Sequence, residues 1–570
     1  MVRKRLFAFI IAVTFIFLVI FVRLFVVQIV QGNDLQRKAI DQWTRELPVI
    51  AKRGEITDRN GVILASSSGT YSVYGRIRSI KDKNATAKVL SQVLDMDEQS
   101  LIKKFNSKVS EVTVKVNCSK EEIQKLKQYD LDGIYFSVCN KRVYPYNDAL
   151  CQILGYTTND GSGQSGLEKY YDKYLKGING EILYESDLVG VDLSGKEPYY
   201  VKATNGLNLQ LTIDFDVQSA CDGVMEEAMK KYTPKSASVI VLNPNNGEIL
   251  GISTKPDFSL NEVPRNDLTA LNKLSRSSLI VDSYEPGSTF KIITSAINIE
   301  EYLKGNPKAF SNTHIFSSSR FRYVGGTKIK CWSTHANGKH ANENLAEALN
   351  NSCNPIFVDI ALSLGKSTFY DYLKKFSFGF STGIDYSGEA IGMLVPESVV
   401  TDNDLARIGF GQTIAVTPLQ LISAVASVIN GGKYYVPHLA KKVYNDELKI
   451  SEEFENKVKE ITISEQTSKI LNGYLEDVVT VGSGKNAYIE GYKVAGKTGT
   501  AQKYENGFIA QSKYVMSFIG FFPSDKPEYL ALVIVDEPVG GNYGSTVSAP
   551  LCKEIFEKII KVKNIKPKTE

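Results

Sequence analysis

The sequence predicts an α+β protein. One antiparallel sheet, closed by the two ends of a large C-terminal domain, is covered by helices, and it is preceded by an elongated mixed α/β pedestal and one N-terminal transmembrane helix. Three observations predict this. Strand-like apolar runs sit at both ends of residues 207–565 while helical periodicity fills the middle. Residues 31–206 mix short helices and strands around recurrent glycine turns, and residues 1–30 hold an apolar span behind a basic cluster.

Taken in order, Arg3, Lys4 and Arg5 precede an apolar run over residues 6–22 whose only polar member is Thr14. At about 1.5 Å per residue the run covers roughly 25 Å, and residues 24–27 extend it once Arg23 snorkels to the interface. No small-x-small cleavage site follows, which favours a retained signal anchor over a removed signal peptide. The basic cluster puts the N-terminus in the cytoplasm and everything after the span outside the cell membrane. Residues 32–44 read as a polar helical stalk. Asp58-Arg59-Asn60-Gly61 is the turn of a hairpin. Helices are expected over 85–94 and 120–129, strands over 111–116 and 134–138, and turns at Gly161, Gly163, Gly166, Gly177 and Gly180. No concentrated chemistry appears before residue 207.

From Leu207 a strand alternates to Ile213, and Asp214 opens a helix to 231. Strands over 237–242 and 249–253 flank the hairpin signal Asn245-Asn246-Gly247. Thr417-Pro418 starts a helix that Asn430-Gly431-Gly432 ends. Strands over 493–495, 514–522 and 529–535 precede a closing helix marked by Leu551, Ile555 and Ile559.

A chain of 570 residues exceeds one core, and 43% apolar with 23% charged residues excludes disorder. With 67 basic against 63 acidic side chains, the balance of +4 gives no argument for nucleic acid. Seven cysteines in an extracytoplasmic chain of this length do not make a disulfide framework, and their odd number leaves at least one free or bound to something else.

The chemistry concentrates in three short stretches. Pro286-Gly287-Ser288-Thr289-Phe290-Lys291 places a serine at the start of an apolar helix with a lysine three residues on, within reach of its hydroxyl. Alone, this pair reads better as a helix cap followed by a snorkelling lysine. Ser352-Cys353-Asn354 follows a helical run over 345–350, and Lys497-Thr498-Gly499-Thr500 follows a strand. Each is weak by itself, but the order Ser-x-x-Lys, Ser-x-Asn, Lys-Thr-Gly within one domain is highly specific.

In these motifs the chain resembles the penicillin-binding proteins. The anchor, the Arg53-Gly54-Glu55-Ile56-Thr57-Asp58-Arg59-Asn60-Gly61 stretch, Gly166-Leu167-Glu168 and the Glu285-Pro286-Gly287 context look like the monofunctional, class B members. The resemblance covers nearly the whole chain. It leaves no room for the glycosyltransferase domain of bifunctional members, and it lacks the C-terminal repeats of some relatives. It implies a β-lactamase-like penicilloyl-serine transferase domain over 207–565, a non-catalytic, dimerisation-like pedestal over 31–206 and an anchor over 1–30.

The implied activity is peptidoglycan D,D-transpeptidation through a serine acyl-enzyme, with β-lactams as inhibitors, a carboxypeptidase side reaction and no cofactor for the chemistry. Ser288 is the expected nucleophile. Lys291, buried and near the cation Lys497, is the expected base. Ser352 relays a proton, Asn354 holds a substrate amide, and Lys497, Thr498 and Thr500 bind the terminal carboxylate, while Gly499 lets the strand approach the substrate backbone. The Ser288 and Thr500 N–H groups form the oxyanion hole. A membrane-embedded glycosyltransferase is the implied partner, in division, elongation or sporulation. A catalytically idle scaffold or a β-lactam sensor is the alternative from another class. Intact Lys291 and Lys497 argue against the scaffold, and five residues ahead of the span are too few for a signalling domain.

A second cluster gathers His314, His335 and His340 with Cys331 and Cys353. Such crowding suggests zinc. Some elongation-type and sporulation-type relatives are similar here, and the matching positions are Cys331, His340 and Cys353. The fourth ligand is open: where relatives place an Asp or Cys, this chain has Ser317, Ser318 and Ser319, with His314 close by. A Cys331–Cys353 disulfide and unlinked core cysteines remain the alternatives.

Overall fold

The computed structural model describes residues 2–33, 35, 44–185, 199–317, 319–333, 335, 340–505, 508–541 and 543–568. Most of the expected stalk, Ser318 and residues 336–339 lie outside these. The chain divides into two compact units.

The first unit comprises Met1–Arg53, Gly69–Asn140 and Gly177–Gly206. It opens with the 24-residue helix Val2–Phe25, none of whose residues is buried, continued by one wider turn at Val26–Val30. The span is long and apolar enough to cross a bilayer. Thr44–Val49, Gly180–Glu185 and Tyr199–Val201 form an antiparallel sheet. Helices Lys83–Leu94, Glu98–Phe105 and Lys120–Leu126 start at Asp82, Asp97 and Ser119, whose side chains accept from first-turn N–H groups. Their apolar faces meet strand residues Val73 and Val114 in a small core containing Leu90, Leu101, Phe105 and Leu126.

The second unit comprises Gly54–Ser68, Lys141–Lys176 and Leu207–Glu570. Its break at 206/207 coincides with the expected boundary, but 54–68 and 141–176, expected in the pedestal, fold here. Ile56–Thr57 pairs in parallel with Asn208–Leu211, and Leu64, Leu154 and Leu167 share a core with Leu209, Ile240 and Phe290. The turn at Asp58 forms as expected, its Oδ1 accepting from the N–H groups of Asn60 and Val62 at 2.8 Å each. Arg142 and Glu168 form a buried ion pair at 2.7 Å, and the guanidinium also donates to the Gly54 carbonyl.

The main sheet runs Ile249–Lys255, Ser236–Leu242, Tyr529–Asp536, Phe508–Phe522, Ala495–Glu505, antiparallel throughout. Strands from both ends of the domain close it, as the sequence predicts. Val239, Val241, Val533 and Val535 face one core with helices Phe215–Tyr232 and Ser548–Val562. Their neighbours Ile240, Leu242, Leu530 and Leu532 face another with Lys291–Leu303 and Pro418–Ile429. A strand buried on both faces needs apolar residues at every position, which is why these runs are continuous in the sequence. Ala495–Glu505 forms one edge, where a turn holding Ser288 packs against it.

Candidate active site

Gly287–Phe290 is a 3-10 turn that leads into the α-helix Lys291–Leu303. Gly287 has φ +56°, and a β-carbon there would lie 3.2 Å from Thr500 O, so glycine is needed both for the turn and for the approach of the edge strand. The Gly287 N–H donates to Gly411 O and the Thr289 hydroxyl to Pro286 O. Ser288 is thereby held half-buried at the open end of the turn.

Lys291 begins the α-helix and has no exposed surface. Its ammonium donates to Ser352 O at 2.8 Å, Ser352 Oγ at 3.1 Å and Asn354 Oδ1 at 2.7 Å. The sequence expected a bond to the Ser288 hydroxyl. Carbonyl and amide oxygens are the stronger acceptors, and the ammonium turns to them. Burial lowers its pKa to about 8, against the opposing fields of Cys331, Cys353 and Glu343. The expected contribution of Lys497 is not among these causes. Lys497 itself is lowered well below the ordinary lysine value, first by burial and then by Lys291.

Helix Leu345–Asn351 stops because Ser352 takes a left-handed conformation, φ 55°. Cys353 then caps Asn354–Leu364, whose second residue is Pro355. This double break turns Ser352 and Asn354 toward Lys291. The Asn354 Nδ2 donates to Lys330 O at 3.2 Å.

Lys497 lies on the edge strand, fully buried, with its ammonium 3.4 Å from Thr498 O and 3.5 Å from Thr498 Oγ1. Thr498 is 8% exposed and its hydroxyl lies 3.4 Å from Ser483 Oγ. A β-carbon on Gly499 would lie 2.3 Å from Ser517 Oγ and 3.0 Å from Thr289 Cγ2. Glycine here lets the strand close on the Ser288 turn, a contact nearer than the substrate approach expected of it. The Thr500 hydroxyl accepts from Gly544 N at 3.1 Å.

Cys331, His335, His340 and Cys353 offer ligand atoms that all lie within 4.8 Å of one another. Cys331 Sγ is 3.9 Å from His340 Nδ1, and Cys353 Sγ is 4.0 Å from His335 Nε2. The Cys331 thiol is pulled down to about 3 by hydrogen bonding with Cys353 and then both imidazoles, against burial. All seven cysteines are free, so Cys331 and Cys353 are not joined. The expected His314 stands apart: it is exposed and packs between Phe310 and Phe316, ring centroids 4.7 Å from each. Ser317 and Ser319 instead support Arg322. His335 takes the fourth place, and the available signal was the spacing Cys-x3-His-x4-His. Sequence reasoning also passed over Ser483, Trp332 and Tyr543.

Family models describe two segments. Residues 237–557 match the penicillin binding protein transpeptidase domain and residues 48–211 the penicillin-binding protein dimerisation domain. The chain is 38% identical over 572 residues to stage V sporulation protein D of Bacillus subtilis, covering all of this chain and 87% of that protein. It is 27% identical to a peptidoglycan D,D-transpeptidase FtsI homolog of Mesostigma viride, covering 96% and 93%. The fold is similar to that of penicillin binding protein 3 of Mycobacterium tuberculosis complexed with aztreonam, with a TM-score of 0.70 at 22% identity, covering 92% and 98%.

Proposed function

The chain belongs to the penicillin-binding protein transpeptidase family and is a serine-type peptidoglycan D,D-transpeptidase and β-lactam target, and from that premise we propose that Ser288 is its nucleophile and Lys291 its base. The observation that carries this is the Lys291 ammonium, wholly buried one turn from Ser288, bonded to Ser352 and Asn354, with a pKa near 8. A lysine in that state is neutral often enough at working pH to accept the Ser288 proton. The Ser288 oxygen then attacks the carbonyl of the D-alanyl-D-alanine bond. The Ser288 and Thr500 N–H groups hold the oxyanion, at about 3 kcal/mol per donor. Ser352 passes the proton to the leaving amine. Asn354 binds a substrate amide, and Lys497 with Thr498 and Thr500 binds the terminal carboxylate, which restores a full charge to Lys497. A second stem peptide supplies the amine that resolves the ester. No cofactor takes part.

Cys331, His335, His340 and Cys353 suit a structural zinc. Two thiols and two imidazoles suit a soft tetrahedral site, and the separations of 3.9 and 4.0 Å approach the roughly 3.5 Å edge of a zinc tetrahedron. His335, His340 and Ser352 all hold positive φ, a backbone that needs an outside tether. Zinc supplies no chemistry in the reaction: it fixes Cys353, and with it the flanking Ser352 and Asn354.

Incubating the full-length protein with a fluorescent penicillin, digesting it and mapping the label tests the assignment. Label on Ser288 is expected. Label elsewhere, or none, overturns it and leaves a non-reacting scaffold. Product analysis with an acceptor amine separates transpeptidation from carboxypeptidation.

The single-pass anchor is read with its N-terminus in the cytoplasm, on the strength of Arg3, Lys4 and Arg5. A membrane-embedded glycosyltransferase that supplies glycan strands is the proposed partner, met through anchor and pedestal. The name of the Bacillus subtilis relative supports a sporulation role. Depletion that blocks only septation, in rods of normal width, would reverse that reading.

A further inference from the structure

Trp332 and Tyr543 stand outside the acylation machinery, yet their rings meet across it. Trp332 follows Cys331, and its indole N–H donates to Asn351 O at 3.0 Å, one residue before Ser352. Its ring meets His340 edge-on, centroids 5.8 Å apart at 69°. Tyr543 belongs to the facing wall. The next residue, Gly544, donates to Thr500 Oγ1, and a β-carbon on it would come 2.2 Å from Gly499 O. The Trp332 and Tyr543 centroids are 6.1 Å apart at 62°, while the two residues remain 56% and 51% exposed.

Rings left so exposed beside Ser352 and Thr500 have given up burial worth about 2 kcal/mol each, and the second substrate of the reaction accounts for their placement. That substrate is a primary amine, an ammonium ion in neutral water. The charged group proposed to hold the donor's carboxylate, Lys497, repels it. A carboxylate placed to attract it would pair with Lys497 and compete with the donor's own carboxylate. An aromatic face attracts a cation without neutralising a neighbouring one.

We propose that Trp332 and Tyr543 form the receiving site for the acceptor amine of the cross-linking step, its aliphatic stem lying along the rings and its ammonium over a ring face. This rests on the reading of Ser288 as the acylated residue. From that site the ammonium gives up one proton to Lys291, left neutral once the first leaving amine has taken its proton. Its nitrogen then bonds to the acyl carbon, the bond to Ser288 Oγ breaks, and Oγ regains a proton as the amine loses its second.

The test is partition of the acyl-enzyme. Full-length protein in detergent is acylated with a D-alanyl thioester, and the ratio of aminolysis by D-lysine to hydrolysis is measured; changes in acylation rate cancel from this ratio. Trp332→Leu and Tyr543→Leu are each expected to lower it roughly 3- to 10-fold, while Trp332→Phe and Tyr543→Phe keep most of it. Choline, a cation that cannot attack, is expected to lower the wild-type ratio, and its neutral isostere 3,3-dimethyl-1-butanol is not. An unchanged ratio in the leucine variants, or equal effects of choline and the alcohol, overturns the proposal. Should the leucine variants fail to fold, the choline comparison on wild-type protein decides. A wild-type protein that forms no acyl-enzyme at all removes the Ser288 assignment, and this inference with it.

Discussion

Lys291 is held between two protonation states: complete burial opposes its charge while the fields of Cys331, Cys353 and Glu343 favour it, and the balance falls at about 8. Because the pKa is lowered, the neutral base appears at a lower pH than for an exposed lysine. Penicillin acylation is expected to rise with pH through about 8 and then level, followed by labelling time courses from mildly acid to alkaline buffer. Lys291→Arg keeps the charge and cannot accept a proton, so it is expected to slow acylation about 100- to 10,000-fold and flatten that profile. A rate independent of pH in the wild type counts against Lys291 as base. At this scale the meeting of Lys291 with Ser352 and Asn354 was legible, because each sits in a short motif whose spacing survives without knowledge of the fold. His335 was not. Three histidines shared one window, and only the fold brings the His335 and His340 nitrogens within 4.8 Å of the Cys331 and Cys353 sulfurs while His314 packs between Phe310 and Phe316. Trp332 and Tyr543 were invisible for another reason: nothing local announces that two distant segments face one another.

Two elements carry their residues into register, and each has its own failure. The segment from Cys331 to Cys353 carries two of the four clustered ligand atoms at its ends, so ligand removal is expected to loosen it. Cys353→Ser, which leaves Ser288 and Lys291 intact, should lower both melting temperature and acylation rate. Protein purified without a histidine tag should hold about one zinc per chain, lost to a chelator along with acylation speed. Metal-free protein that acylates at full speed refutes the tether. On the edge strand, Gly499→Ala forces a methyl group to 3.0 Å from Thr289 Cγ2 and against the Ser517 hydroxyl. The hydroxyl can rotate away, but the Thr289 methyl must move with the Ser288 turn, at about 1 to 3 kcal/mol. Slower acylation and a lower melting temperature are expected together. The sequence placed this strand at 493–495, whereas it runs Ala495–Glu505. Its glycine-broken first half and polar second half carry no strand periodicity, since the strand is held by pairing with Phe508–Phe522.

At the scale of the molecule, the transmembrane span and the α+β sheet followed from composition and periodicity, but the division of the chain did not. Residues 54–68 and 141–176 look like pedestal in the sequence because their short apolar runs name no partner. In the fold they supply Ile56, Leu64, Leu154, Leu167 and Leu175 to the core around Leu209 and Ile240. A chain cut to begin at Leu207 is therefore expected to be insoluble or to bind no penicillin, whereas one beginning after residue 30 should be soluble and take the label. Arg142→Ala, which removes one partner of the buried Glu168, should cost up to about 3 to 5 kcal/mol, read from thermal unfolding. The strand order has a further result, for biosynthesis. Synthesis releases a chain from its N-terminus, so Ser288 leaves the ribosome long before Tyr529–Asp536. That late strand sits in the middle of the sheet, between Ser236–Leu242 and Phe508–Phe522. Until it arrives the sheet is two unjoined halves, and Lys497 has no scaffold on which to face Ser288. A nascent chain thus carries Ser288, the proposed nucleophile, without an assembled site until that central strand has been made.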